Sequence, residues 1–250
     1  MESLEEIIGA MDAVSLKDMD RVSLMDRVDT KFYFHERLLP TILMSIKKDY
    51  KVLEILGERF MRYESDYYDT ADMKMLSWHQ NGKLNRFKVR KRRYLVSGEA
   101  FLEVKFKSNK GITKKTRRRD ENNSSKNESF IAENTPFKLV DLEHVISNQF
   151  QRLMLVNNNN AERVTIDLNL GFHNGCDPLL SLKDLVVLEI KSERHLGMTE
   201  LQRSLKFLHI YPNGFSKFIT GMYMFHPELK FNRFKSRFLS VNKTIEKNLL

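Results

Sequence analysis

Residues 84–94 read LNRFKVRKRRY, and within them Arg86, Lys88, Arg90 and Arg92 recur at every second position, with Phe87 and Val89 between. Period two is strand geometry, in which successive side chains project from opposite faces. One face of one strand therefore carries four cations in a row. Like charges at that spacing repel, and like pairs directly opposite across strands are destabilising. A solvated face ordinarily mixes both signs with neutral polar residues, so this row calls for a countercharge from elsewhere.

Other segments alternate in the same way. In FLEVKFK, Glu103, Lys105 and Lys107 oppose Leu102, Val104 and Phe106; in ERVTIDLNL, Arg163, Thr165, Asp167 and Asn169 oppose Val164, Ile166, Leu168 and Leu170. In VVLEIKS, Glu189 and Lys191 oppose Leu188 and Ile190, and in RVDTKFYFH, Arg27, Asp29, Lys31 and Tyr33 oppose Val28, Thr30, Phe32 and Phe34. An antiparallel sheet with one wet face explains any one of these strands. Together they favour a sheet closed on itself, with apolar residues outside under helices and charged residues inside. The fold class expected is α+β: an antiparallel β-barrel, or tunnel, of about eight strands with a polar, charged lumen.

The charge is local. From Arg86 to Arg119 there are fourteen Lys or Arg against two Glu, a charge of +12, whereas the rest of the 250 residues hold 28 basic and 31 acidic side chains. A basic surplus confined to one region points to an anionic partner at one site. Phosphate oxygens suit Arg forks and Lys point charges. The few Glu on these strands are suited to Mg²⁺ or Mn²⁺, which bind carboxylates and phosphate oxygens together. The composition, 41% hydrophobic and 30% charged, is that of a globular protein. Cys176 is the single cysteine, the N-terminus lacks a signal-peptide pattern, and no apolar run reaches the roughly 20 residues of a membrane span. A soluble, cytoplasmic protein is expected.

Along the chain, the first twenty residues read as a short amphipathic helix, 27–35 as a strand and 36–48 as helix. YKVLEIL and RFMRYESDYYDT read as a strand pair about Gly57, followed by a short helix from Asp69 and Thr70 through Trp78 that Gly82 ends. Strands are expected at 84–96, 100–107, 111–119, 150–156, 162–170 and 184–192, and helices at 138–148, 198–208 and 215–225. The polar run DENNSSKNES (120–129) reads as a mobile surface loop. One domain, 1–250, is expected, with its core at about 21–225 and a C-terminal extension at 226–250.

On these residues the chain resembles the VTC domain, the polyphosphate-polymerase branch of the CYTH-like triphosphate tunnel metalloenzymes. RVDTKF (27–32), YESDYYDT (63–70), RFKVRKRRY (86–94), LEVKFK (102–107), KKTRRR (114–119), FQR (150–152), RVTID (163–167), VLEIKS (187–192) and FSKF (215–218) occur in the family's order. The resemblance implies that Lys31, Arg90, Arg92, Lys105, Arg152, Arg163 and Lys217 contact phosphates and that Glu189 holds the metal, with Glu103 a helper. Lys31, Arg90, Arg92, Lys105, Arg163 and Glu189 form the implied catalytic set. Arg86, Lys88, Lys107, Lys115, Arg117 and Lys191 extend the phosphate-binding face. Gly214 stands where relatives often carry a basic residue. Asp69 reads as a helix cap and His79 as a packing histidine.

The activity implied is phosphoryl transfer from ATP to a growing polyphosphate, assisted by Mn²⁺ or Mg²⁺. A tripolyphosphatase or nucleoside triphosphatase would use the same tunnel with water as acceptor. A non-catalytic module for polyphosphate, inositol phosphate or nucleic acid is the remaining reading. Nucleic acid is disfavoured because Phe87, Phe101 and Phe106 alternate with the cations. Lys91, Arg93, Lys114, Arg118 and Arg119 are expected to point outward, and any membrane partner would be a separate protein.

Overall fold

The structure is a computed structural model that describes residues 2–21, 27–121, 123–159 and 161–246. Its strands are β1 (Ala13–Val14), β2 (Arg27–His35), β3 (Tyr50–Leu53), β4 (Met61–Thr70), β5 (Arg86–Tyr94), β6 (Glu99–Lys107), β7 (Thr113–Arg119), β8 (Leu142–Asn157), β9 (Glu162–His173), β10 (Leu180–Leu182) and β11 (Leu185–Glu193). The helices are α1 (Leu4–Gly9), α2 (Leu16–Arg21), α3 (Leu39–Ile46), α4 (Lys74–Gln80), α5 (Ser124–Asn134), α6 (Glu200–Phe207), α7 (Lys217–Phe225) and α8 (Lys235–Glu246).

Eight strands form one hydrogen-bonded path, β2-β11-β9-β8-β4-β5-β6-β7, antiparallel throughout, with β10 on β9, β3 on β8, and β1 parallel to β3. The mixed α+β class and the eight-strand count agree with the pattern of alternation. Closure does not: among the described residues β2 and β7 are not paired, so the sheet stays open at that seam. The edge strand β7 is polar along its length, TKKTRRR, and Lys-rich edges resist further pairing. The path nevertheless curls, because Lys105 on β6 feels Lys31 and Glu189, which lie six and five strand positions away on β2 and β11.

The outward face follows the period-two apolar residues. Phe32, Phe34, Val164, Ile166, Leu168, Val186, Leu188 and Ile190 pack under α1, α3 and α6. Val89, Leu102 and Val104 pack under α4 and α5 through Met75 and Ile131. The inward face is charged only in part. Tyr33, Leu170, Phe172, Leu185 and Val187 are apolar there and meet Val241 and Ile245 of α8. A bulge produces part of this switch: Asn169 has φ of +53°, and the β8–β9 register shifts between Gln149 and Gln151. Leu168 thus joins the outer cluster while Leu170 joins the inner one, against simple alternation.

Several sequence readings are corrected. The strand pair about Gly57 is absent: β3 pairs with β8 and β1, and only an Ile55–Glu58 bridge spans that turn. The expected mobile loop 120–129 enters α5, whose Asn123 side chain accepts from the Lys126 amide and whose Ile131 is fully buried. The expected helix 138–148 is one 3₁₀ turn, Leu139–Asp141, followed by β8. Within the expected C-terminal extension, Lys235–Glu246 form α8, docked on the inner face through Val241 and Ile245. Asp69 does cap α4, accepting from the amides of Met75 and Leu76 at 2.8 Å each.

Helix α7 lies against β8 and β9 so closely that a Cβ at Gly221 would sit 2.8 Å from Ile146 Cγ1 and 2.9 Å from Phe172 Cδ1. Gly221→Val should therefore overpack this contact and lower stability by about 1–3 kcal/mol, read as a lower urea midpoint at unchanged slope.

Candidate functional site

The β5 row projects inward as its alternation requires. Phe87 and Val89 enter the outer cluster, while Lys88 reaches Ser216 at the start of α7 and Arg90 and Arg92 reach Tyr67 and Ser65 on the neighbouring strand β4. Register then decides their neighbours: Arg90 stands across from Glu103, Lys88 from Lys105 and Arg86 from Lys107. Glu103 stands across from Arg117, and Lys105 from Lys115. On the facing wall Glu189 pairs with Lys31 and Thr165, and Lys191 with Asp29 and Arg163.

Three carboxylates organise this charge. Glu103, 2% exposed, accepts from Arg90 Nε at 2.7 Å and lies 2.5 Å from Lys115 Nζ. Asp167 takes a two-pronged contact from Arg152, at 2.5 and 2.8 Å, and a bond from the Lys217 ammonium at the start of α7. Glu189 accepts from Lys31 and lies 3.3 Å from Lys191. Burial works against ionisation of all three. The adjoining cations outweigh it, Arg90 and Lys115 at Glu103 and Lys191 and Lys31 at Glu189, holding each pKa down at about 2. Arg152 and Lys217 hold the Asp167 carboxyl lower still.

Cations outnumber these acids. Lys31, Lys88, Arg90, Arg92, Lys105, Lys115, Arg152, Lys191 and Lys217 share the wall with Glu103, Asp167 and Glu189. Arg92 shows the imbalance best. It is 6% exposed, its Nε donates to Ser65 Oγ at 3.0 Å, and its guanidinium lies over Tyr63 and Phe150 at 5.4 and 5.6 Å. Among the described residues no carboxylate is ion-paired with it. Burial, then Arg90 and Arg152, lower its pKa to about 10. Burial and the neighbouring cations Lys105 and Arg86 bring Lys88 to about 7. Lys115 and Lys217 fall to about 8, in each case through burial only partly offset by the adjoining acid. The Tyr67 hydroxyl is 3.3 Å from Arg90 Nη1; burial opposes its ionisation, but Arg90 and Arg92 lower its pKa overall.

Most of the residues expected at the site come together here. Lys115 and Arg117 both face inward: the first pairs with Glu103, the second lies 4.9 Å over Phe101. That contact corrects one reading, since Phe101 shares the face of Glu103 and Lys105 instead of alternating with the cations. Lys107 is exposed at the Arg86 end of the row, and half-buried Arg163 stands beside Lys191. Asp167, Ser65, Tyr67 and Ser216 were not singled out. Asp167 lies on the alternating polar face of ERVTIDLNL, whereas nothing in the spacing of YESDYYDT marks Tyr67. The outward cations behave as expected: Arg93 pairs with Glu64 and Asp66, and Lys91 with Asp120.

Among the described residues no three His, Cys, Asp or Glu side chains gather around one point. A divalent ion here would have one or two carboxylates and complete its shell with substrate oxygens and water, the usual manner of Mg²⁺. Glu189 fits that part, because its carboxylate is ionised, 15% exposed and held by two flexible lysines.

The VTC domain model matches residues 26–226, and the chain belongs to that family. No curated protein sequence matches it. Solved structures with similar folds include a candidate adenylate cyclase from Vibrio parahaemolyticus (12% identity, 78% of this chain and 96% of that one, TM-score 0.46). Another is a candidate adenylyl cyclase from Hippeastrum described as having a dominant triphosphatase activity (14% identity, 79% and 95%, TM-score 0.44). No helix among the described residues is long and apolar enough to cross a membrane.

The depressed carboxylates give a sign for pH. Their native pKa lies below the unfolded value, so they stabilise the fold above about pH 4 and lose that contribution as pH falls towards 2. Glu103→Gln leaves Arg90 and Lys115 facing one another and should cost about 2 kcal/mol, below the usual figure for a broken buried pair because the Lys115 side chain keeps 43% of its surface in water. The wild-type and Glu103→Gln stability curves should draw together as pH falls below 4 and converge only below about pH 2 in urea titrations.

Proposed function

We propose that this wall binds a chain of phosphates and transfers a terminal phosphoryl group, with ATP as donor and polyphosphate as acceptor. The observation that carries the reading is Arg92: a buried guanidinium, hemmed in by Arg90 and Arg152, with no carboxylate ion-paired to it among the described residues. Burying a charge without its counterion is costly, and a bound phosphate oxygen supplies the counterion in a geometry that guanidinium forks match.

The roles follow from position. Arg90, Arg92 and Arg152 hold the phosphates nearest Tyr67, while Lys31, Lys88, Lys105 and Lys217 neutralise the remaining oxygens. Arg163, Lys191 and half-buried Arg86, with the exposed cations Lys107 and Arg117, extend the lining. Glu189 would hold Mn²⁺ or Mg²⁺, and such an ion would supply charge withdrawal from the phosphoryl oxygens. Glu103 and Asp167 orient cations: their side chains are only 2% and 4% exposed against 15% for Glu189, which leaves Glu189 the better placed acid for a metal. Transfer of this kind needs placement and charge neutralisation more than a covalent nucleophile.

Incubation with ATP and Mn²⁺ should give polyphosphate resolved on a gel. Free phosphate alone would mean that water is the acceptor, and neither product would refute phosphoryl transfer. Glu189→Gln should reduce turnover by at least about a hundredfold and lower the melting temperature modestly, because Lys31 and Lys191 lose their acid, while the variant stays folded and binds tripolyphosphate; full activity would exclude the metal role.

Binding also carries a proton signature. Phosphates raise the pKa of the lysines they touch, so Lys88, Lys115 and Lys217, partly neutral at pH 8, should take up protons when tripolyphosphate binds. Calorimetry in two buffers of different ionisation enthalpy should show net uptake at pH 8 that shrinks towards pH 6.

A further inference from the structure

The α8 segment brings two more arginines to the end of the β5 row. Arg233 and Arg237 are four residues apart, the first in a 3₁₀ turn (Asn232–Phe234) and the second in the first turn of α8. Both seat on glycines that border the row. A Cβ at Gly82, in the turn entering β5, would lie 1.7 Å from Arg233 Nη1, so a side chain there would occupy the guanidinium's place. A Cβ at Gly214, two residues before Ser216, would lie 3.1 Å from Arg237 Cζ and 3.2 Å from its Nη1. The Arg237 guanidinium is also 5.6 Å over Phe234, which in turn meets His79 edge-on at 5.3 Å.

Arg86 and Lys88 complete the group. Arg86 donates to the Lys83 carbonyl at 3.0 Å and Lys88 to Ser216 Oγ at 3.2 Å. All four cations bear on one imidazole: burial, then Lys88, Arg86, Arg233 and Arg237, push the His79 pKa down to about 2, so its ring is neutral and adds no charge of its own. Among the described residues none of the four is ion-paired with a carboxylate. This differs from the deeper wall, where Glu103, Asp167 and Glu189 balance part of the charge. Four neighbouring cations without an acid form an anion site, and their continuity with Lys88 makes the anion an extension of the one bound beneath.

Building on the phosphate-binding reading, we propose that Arg233 and Arg237, with Arg86 and Lys88, form a second subsite that takes the phosphates of a polyphosphate chain beyond the first three. Arg237 supplies from α8 the cation for which Gly214 leaves room. The C-terminal helix is thereby a specificity element, favouring long chains over tripolyphosphate.

The test compares dissociation constants of the full chain for tripolyphosphate and for long-chain polyphosphate, by calorimetry at fixed salt. In Arg233→Ala/Arg237→Ala the long-chain to tripolyphosphate preference should fall about tenfold or more, as the loss of one or two charge-assisted contacts implies. Arg233→Lys/Arg237→Lys, which preserves the charge, should retain most of the preference, and circular dichroism of each variant checks that α8 is intact. Adding Gly214→Arg to Arg237→Ala should restore part of what Arg237→Ala removes, since Gly214 has no left-handed backbone to forbid a side chain. A preference unchanged in the double alanine variant overturns the subsite and leaves the proposed function standing. Failure of the wild type to bind either probe overturns both.

Discussion

The constraint on which this structure depends is the excess of cations over acids on one face of a curled sheet. Lys and Arg side chains projecting into a confined space repel, and the fold tolerates them because three carboxylates are placed by strand register between them. Glu103 sits between Arg90 and Lys115, Asp167 between Arg152 and Lys217, and Glu189 between Lys31 and Lys191. Each acid satisfies two cations, yet Arg92, Lys88 and Lys105 remain without a paired acid among the described residues. The site is thus partly neutralised at rest and retains affinity for an anion. Complete neutralisation would leave nothing to bind phosphate with, and none would leave the sheet under repulsion.

The outer face makes this arrangement affordable. Helices α1, α3 and α6 bury a continuous apolar layer against β2, β9 and β11, and α4 and α5 do the same for β5 and β6. The inner face has its own apolar part, where α7 and α8 dock. Lys217 is carried into the wall by the first turn of α7, so the helix that fills part of the bore also contributes to its chemistry. Tyr63 and Phe150, stacked 5.3 Å apart beneath Arg92, Arg152 and Lys217, mark the border between apolar and charged regions.

Much of the site was legible because β-strands have an integer side-chain period: Arg86 to Arg92, Glu103 to Lys107 and Glu189 to Lys191 each keep to one face by counting alone. What counting cannot see is an interruption of the period. The bulge at Asn169 moves Leu170 to the inner face, and no residue type announces it. The turn at Gly57 looked like a hairpin because local pairing is the cheapest guess, whereas β3 pairs with β8 about a hundred residues away. Residues 120–129 are too polar for a helix by composition, yet the Asn123 cap and the single anchor Ile131 suffice. Arg237 could not be tied to Gly214 from sequence, since only the packing of α8 joins them.

A structure of the protein with tripolyphosphate and Mn²⁺ tests the central claim most directly. The account predicts phosphate oxygens against Arg90, Arg92 and Arg152, with the metal between those phosphates and Glu189. Phosphates bound instead to the outward cations Lys91, Arg93 or Arg118, with Arg92 still pointing only at Ser65, Tyr63 and Phe150, would contradict it.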